Sequence, residues 1–215
     1  VYDFQRLIFQ FASHWSLATA LAVLGVGLLY ALQGFRFARF LITLSCAGGG
    51  LVLGWILSEL TGVPLAIAFL PAGILALLAL VRFHIGLKVA SAFTGSALAQ
   101  YLAAQLGMMP SLTLVAAGVG LCIGYSLIWL CRRTLPILVT VVQGAGLLVV
   151  AFVGLTNALA PSLGLTFLEW AAGIPLMVPG LMLMLCVLGY SVQANAQQGA
   201  MESGGSPGLD DLKAS

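Results

Sequence analysis

Charge is what this sequence has least of. Only 7% of its 215 residues are Asp, Glu, Lys or Arg, against about 25% in a soluble domain. So few charges cannot cover a water-facing surface, which excludes a soluble globular fold. The net charge of +2 gives no footing for a nucleic-acid partner. Histidine is nearly absent. His14 and His84 are expected on opposite sides of a membrane, so neither side offers enough ligands for a metal site, and haem has no buried His to bind. Cys46, Cys122, Cys131 and Cys186 form no CxxC pair, and the three inside apolar runs read as small fillers. No ionisable residue lies near the middle of any apolar run, where it would mark an enzyme or an ion-coupled transporter. The cluster Gly48-Gly49-Gly50 lacks the Lys and Ser/Thr of a phosphate loop. No catalytic residue, resident cofactor or metal is expected. Pigment or quinone binding stays open, because backbone groups and water can serve there.

Apolar residues take the space that charge leaves. They make up 61% of the chain, with a mean hydropathy of +1.13. A helix needs about 20 apolar residues to cross a hydrocarbon core about 30 Å thick. Seven runs qualify, near 16–32, 40–58, 65–81, 89–106, 112–130, 137–159 and 170–190. Interfacial aromatics such as Trp15 and Tyr30 extend the shorter ones. Strand-length alternation is missing, which excludes a transmembrane barrel. The expected fold is an all-α membrane protein with seven transmembrane helices.

Basic residues set the expected orientation. Arg36 and Arg39 follow the first run, Arg82 and Lys88 the third, and Arg132 and Arg133 the fifth. The turns after the second, fourth and sixth carry none, and Glu59 and Glu169 lie there. Positive charge stays in the cytoplasm, so the N-terminus is expected outside and the C-terminus inside a bacterial inner membrane. Arg6 dissents, partly offset by Asp3. Residues 1–15 place Phe4, Leu7, Ile8 and Phe11 at helical spacing. They read either as an amphipathic helix on the outer surface or as the wet start of the first spanning helix. The chain begins with Val, which leaves N-terminal processing open, and no signal-peptide order is present. Residues 16–190 form the transmembrane domain. Residues 191–215 are rich in Gln, Ser, Gly and Asp and are expected to be a polar cytoplasmic tail, ordered only if something holds it.

A repeat runs through the bundle. Arg36, Gly49, Trp55 and Pro64 recur at the same offsets as Arg82, Gly95, Tyr101 and Pro110, and again as Arg133, Gly146, Phe152 and Pro161. The pattern Arg-x12-Gly-x5-aromatic-x8-Pro appears three times without a gap. It predicts three parallel two-helix repeats plus a seventh helix. In each copy the Arg meets the cytoplasmic interface, the Gly lets a neighbouring backbone come close, and the Pro marks the outer turn. Gly50, Gly54, Gly120 and Gly124 extend the small-residue pattern. These glycines are expected to pack helices within the bundle, with a dimer interface as the alternative. Pro71, Pro175 and Pro179 are expected to kink the third and seventh helices.

The segment Gly34-Phe35-Arg36-Phe37-Ala38-Arg39-Phe40-Leu41, followed by Gly48-Gly49-Gly50, resembles the first cytoplasmic turn and second helix of the transmembrane protein 198-like family, also called the DUF4203 domain. Val81-Arg82 with the Gly95 helix, and Arg132-Arg133-Thr134-Leu135-Pro136 with Gly144–Gly146, are similar to its second and third turns. The resemblance covers about residues 16–190. It implies a seven-helix membrane protein and brings no catalytic residues. Animal members are associated with signalling scaffolds, a role that does not transfer to a bacterial chain.

Three functional classes follow. The first is a non-catalytic structural, scaffold or assembly subunit that binds membrane lipids, other membrane proteins or a second copy of itself. Its lipid- or partner-binding row would be Arg36, Arg39, Arg82, Lys88, Arg132 and Arg133. The second is a channel or transporter for a small neutral or apolar solute. Glu59, Gln105 and Thr156 share one level of the repeat and read either as interfacial polar ends or as a small polar vestibule. Gln100 and Gln143 lie deeper, and a helix–helix clasp is the expected use. The third is a membrane enzyme, for which no reactive cluster is present.

Overall fold

Side-chain chemistry at the chain breaks fixes where the helices start and stop. The computed structural model describes residues 15–62, 65–131, 134–160, 162, 166 and 177–202. Seven helices are described: α1 (Leu17–Gln33), α2 (Ala38–Thr61), α3 (Leu65–Val81), α4 (Phe83–Gln105), α5 (Pro110–Leu130), α6 (Leu135–Leu159) and α7 (Met177–Glu202). Ser16 caps α1 by accepting the Thr19 N–H at 3.2 Å. Gly62 ends α2 in the left-handed region at φ 68°, where its N–H reaches the Ser58 carbonyl. Pro110 opens α5, where its missing N–H costs nothing. No strand occurs among the described residues.

The molecule is apolar outside and carries polar groups within. Leu114, Trp129 and Leu130 are 73%, 76% and 83% exposed, while Thr140 and Gln193 are completely buried. Such a surface suits lipid. Among the described residues four helices are long and apolar enough to cross a membrane: Ala38–Glu59, Ser111–Leu130, Leu135–Leu159 and Met177–Gln198. The chain is therefore an all-helical protein of membrane type. α1 and α3 have 17 residues each, about 25 Å at 1.5 Å per residue. α4 is longer but is interrupted by Lys88, Thr94, Gln100 and Gln105.

The closest helix pairs are not the consecutive pairs within each repeat copy. α2 packs on α3, α4 on α5, and α6 on α1, more extensively than any other pairs. Each of the first two joins the end of one copy to the start of the next, and the third closes the circle. Small residues explain the choice. A Cβ on Gly50 would lie 2.5 Å from the Ala72 Cα on α3. One on Gly95 would strike the Gly120 carbonyl, and one on Gly124 the Ser91 carbonyl. One on Gly144 would lie 2.6 Å from the Ala31 nitrogen on α1. These are backbone-on-backbone contacts that only glycine permits. Gly54 is buried, and Gly49 rests under the Phe93 ring. Gly146 differs: among the described residues its Cβ would meet the Met182 methyl of α7 alone, at 3.7 Å, with no backbone close by.

α6 is the central helix, contacting α1, α7, α4 and α2. Two apolar cores stack along it. At the end near the basic turns, Ile42, Cys46, Ala79, Leu87, Ala90, Ile128, Leu135 and Val139 pack together. At the far end Val149, Val153 and Val178 gather Trp15, Tyr101 and Met182 around them. α3 is helical through Pro71, and Pro179 sits in the first described turn of α7.

One boundary moves. The last helix continues through residues 191–202, placed by composition in a polar tail. Gln193 and Gln197 are buried there, and Gln193 hydrogen-bonds the end of α1. Residues 1–14, Arg132, Arg133, Pro161, Glu169, Pro175 and 203–215 lie outside the described residues.

The glycine contacts predict a contrast. Gly120→Leu drives a side chain into the Gly95 carbonyl and should cost at least about 1–3 kcal/mol. Gly118→Ala meets nothing within 4 Å and should be neutral or stabilising by up to about 1 kcal/mol. Thermal unfolding of both variants in detergent measures the difference.

Candidate functional site

Water is absent at membrane depth, so a polar side chain must find its partner in the protein. Most hydroxyls solve this within their own helix. Thr43 donates to the Arg39 carbonyl, Ser126 to that of Cys122, and Ser191 to that of Val187. Two clusters instead join several helices.

The first lies between the two apolar cores. Tyr30 on α1 donates to the Leu41 carbonyl at 2.8 Å and lies 3.1 Å from Ser45 Oγ on α2. Ser45 Oγ donates to Gln143 Oε1 on α6 at 2.6 Å. Gln143 Nε2 donates to Thr94 Oγ1 on α4 at 2.8 Å, and Thr94 passes its proton to the Ala90 carbonyl, also at 2.8 Å. One amide thus clasps α2 and α4 to α6. The expectation of a Gln143 clasp is met. Tyr30 is no interfacial anchor, since it is buried. Ser45 and Thr94 carried no sequence signal beyond being polar residues inside apolar runs.

Above the clasp, toward the far end, is a partly open cavity of about 410 Å³. Ser45, Thr94 and Gln143 form its polar floor. Gly49, Phe93, Ala97, Leu98, Val142, Gly146, Val149, Val150 and Met182 form its walls, and Gln100, Tyr101 and Val178 complete the lining. Among the described residues no ionisable carboxylate, amine, guanidinium or imidazole lines it. The size and the mainly apolar lining with a few polar groups are those of a small-molecule site.

The second cluster locks α7 to the first turn. Gln193 Nε2 donates to the carbonyls of Tyr30 and Ala31, both at 2.8 Å. Its Oε1 accepts from the Phe35 N–H at 2.9 Å and the Thr140 hydroxyl at 3.4 Å. Ala31 carbonyl and Phe35 N–H are the pair that a further turn of helix would join. The amide sits between them. Two glycines make room: a Cβ on Gly34 would strike the Thr140 hydroxyl, and one on Gly189 would lie 2.9 Å from the Ala31 carbonyl. Composition could not reveal this, because the residues after Gln193 are those of a solvated tail.

The basic row is partly occupied by the protein itself. Arg39 Nη2 donates to the Leu80 carbonyl at 3.0 Å, capping α3. The Lys88 ammonium stands 5.7 Å from the centre of the Tyr125 ring on α5. Arg36 and Arg82 are exposed. Arg132 and Arg133 lie outside the described residues. The three polar residues of the outer level do not line the cavity. Glu59 is exposed, Gln105 is half-buried, and Thr156 donates to carbonyls of its own helix. Cys46 is buried with its thiol 3.3 Å from the Gly86 carbonyl, Cys122 is exposed, and Cys131 and Cys186 are half-buried.

No family model, curated protein or solved structure matches the chain. The reading of its function rests on this geometry.

Gln193→Leu strands two carbonyls and an N–H that α7 now satisfies. Its cost should be about 1–3 kcal/mol. Limited proteolysis should then cut within 191–202 faster than in the parent, with cutting elsewhere unchanged.

Proposed function

We propose that the chain is a non-catalytic multi-pass membrane subunit, a scaffold or assembly component that holds lipids and other membrane proteins, or a second copy of itself, on its apolar perimeter. The observation that carries this is the filled core at the basic end. Ile42, Cys46, Leu87, Ala90, Ile128, Leu135 and Val139 close the space between α2, α4, α5 and α6 directly below the clasp. A packed interior of this kind leaves the outer faces as the working surface. Seven spans in a bacterial inner membrane, N-terminus outside, complete the reading. α1, α3 and α4 cross as part of the bundle rather than on their own apolarity. The basic ends of α2 and α4 support this orientation, since the cytoplasm retains positive charge. Three parallel two-helix repeats are supported by the cyclic pairing of α2 with α3, α4 with α5, and α6 with α1. The resemblance to the transmembrane protein 198-like family agrees with this arrangement. Arg36 and Arg82, exposed at the basic end, are the residues to meet anionic head groups or an acidic partner, at about 1 kcal/mol per charge.

The cavity favours a second reading, a channel or transporter for a small neutral or apolar solute. Glycerol flux into proteoliposomes separates the two. The scaffold reading expects flux equal to that of protein-free vesicles, together with discrete protein adducts from a photo-crosslinker placed at Leu114 in native membranes. Protein-dependent flux with crosslinks to lipid alone would overturn it.

Orientation has its own check. With Cys46, Cys122 and Cys186 replaced by Ala, an impermeant maleimide should fail to label Cys131 in intact cells and succeed after lysis. Labelling in intact cells would reverse the topology.

A further inference from the structure

We propose that the cavity between α2, α4, α6 and α7 binds a neutral amphiphile drawn from the bilayer, one that is apolar except for a carbonyl or hydroxyl oxygen at one end. Binding of this kind needs neither the scaffold reading nor the transport one.

The chemistry of the lining selects the ligand. Among the described residues no charged side chain faces the space, so an ionised ligand would be buried there without a partner, at a cost binding could not recover. The walls are mainly apolar, with Gln100 and Tyr101 toward the far end, and the polar groups of the floor are gathered at Ser45, Thr94 and Gln143. The hydrogen-bond inventory of that floor is definite. A Gln amide has two N–H donors and an oxygen with two lone pairs. Gln143 gives one N–H to Thr94 and takes one proton from Ser45. Thr94 spends its own proton on the Ala90 carbonyl. Among the described residues nothing takes the second Gln143 N–H. The floor therefore offers a donor to an incoming oxygen. The leftover N–H does not depend on how the amide is turned, because the Ser45 and Thr94 hydroxyls can each donate or accept and only one of them takes an amide proton.

The shape of the space points the same way. Thr94 at the floor and Tyr101 further along α4 are seven residues apart, about 10 Å along the helix axis. The cavity thus extends away from its donor as a slot for an apolar body. Its width comes from a missing side chain. Gly49 is covered by the Phe93 ring, 2.7 Å from its would-be Cβ, but among the described residues Gly146 faces only the Met182 methyl at 3.7 Å. A helix interior disfavours glycine by about 1 kcal/mol relative to alanine. At Gly146 no close backbone approach explains that cost, and an open slot does.

The test uses the full-length protein in lipid nanodiscs with Trp55, Trp129 and Trp170 changed to Phe. Trp15, packed on the Val149 cluster beside the cavity, remains as the reporter. The probes are 11-bromoundecan-1-ol and 1-bromoundecane, whose bromine quenches indole fluorescence. The alcohol should quench in a saturable way. Gln143→Leu should weaken the alcohol roughly tenfold, the worth of one net hydrogen bond, and leave the bromoalkane unchanged. Gly146→Leu should abolish saturable quenching while helicity and unfolding temperature hold. Ala97→Phe fills the same slot from α4 and serves if Gly146→Leu fails to fold. Quenching by the alcohol that never saturates, or that is the same in the parent and the filled variants, means simple partition into lipid and overturns the proposal. Equal weakening of both probes by Gln143→Leu would show that the amide shapes the wall without receiving an oxygen, and would overturn the assigned ligand chemistry.

Discussion

Backbone touching backbone at glycine is the constraint on which this bundle rests. Lipid gives apolar side chains no reason to prefer each other over acyl tails, so helices gain most by coming close enough for dispersion contact along their whole length. Gly50 against Ala72, Gly95 against Gly120, and Gly144 against Ala31 set that distance for three helix pairs. The remaining packing follows. α6 holds the centre because it belongs to one close pair and also borders α7, α4 and α2. The side chains left between the pairs then divide the interior into two apolar cores.

Polar groups finish what glycine begins. The Gln143 clasp and the Gln193 lock use the same chemistry, an amide that donates and accepts at once. One primary amide can donate twice as well as accept, where a hydroxyl donates once, and so can satisfy groups on two or three helices. At the clasp the neighbours keep partners of their own, since Thr94 reaches the Ala90 carbonyl and Ser45 the Leu41 carbonyl. At the lock Thr140 keeps the Pro136 carbonyl, but the Ala31 carbonyl and the Phe35 N–H have no such reserve, because Gln193 stands in the place of a missing helical turn. The two amides therefore differ in what their loss would expose.

Much of the helical layout can be read from the sequence, and the reasons for the rest are specific. Apolar runs locate every described helix, and the turns fall where Gly62, Arg82 and Pro110 stand. Partner choice is harder. The repeat marks Gly49, Gly95 and Gly146 as equivalent, yet they meet a ring, a backbone carbonyl and an open slot. Equal position in a repeat says nothing about what the neighbouring helix brings. The extent of α7 is hidden because a single Gln overrules the composition around it. The cavity is hidden because it is made by a side chain that is not there.

The cyclic pairing also bears on how the chain is made. α1 finds its closest partner in α6, and Gly27 and Gly144, which meet there, are separated by 144 − 27 = 117 residues. At about 5–20 residues per second the ribosome needs roughly 6–23 seconds to deliver that stretch. During this interval the glycine face of α1 is uncovered. Gln193 arrives later still, and until then the end of α1 lacks the amide that completes it. The first helix waits for the sixth and seventh to emerge, so the order of synthesis runs against the order of packing.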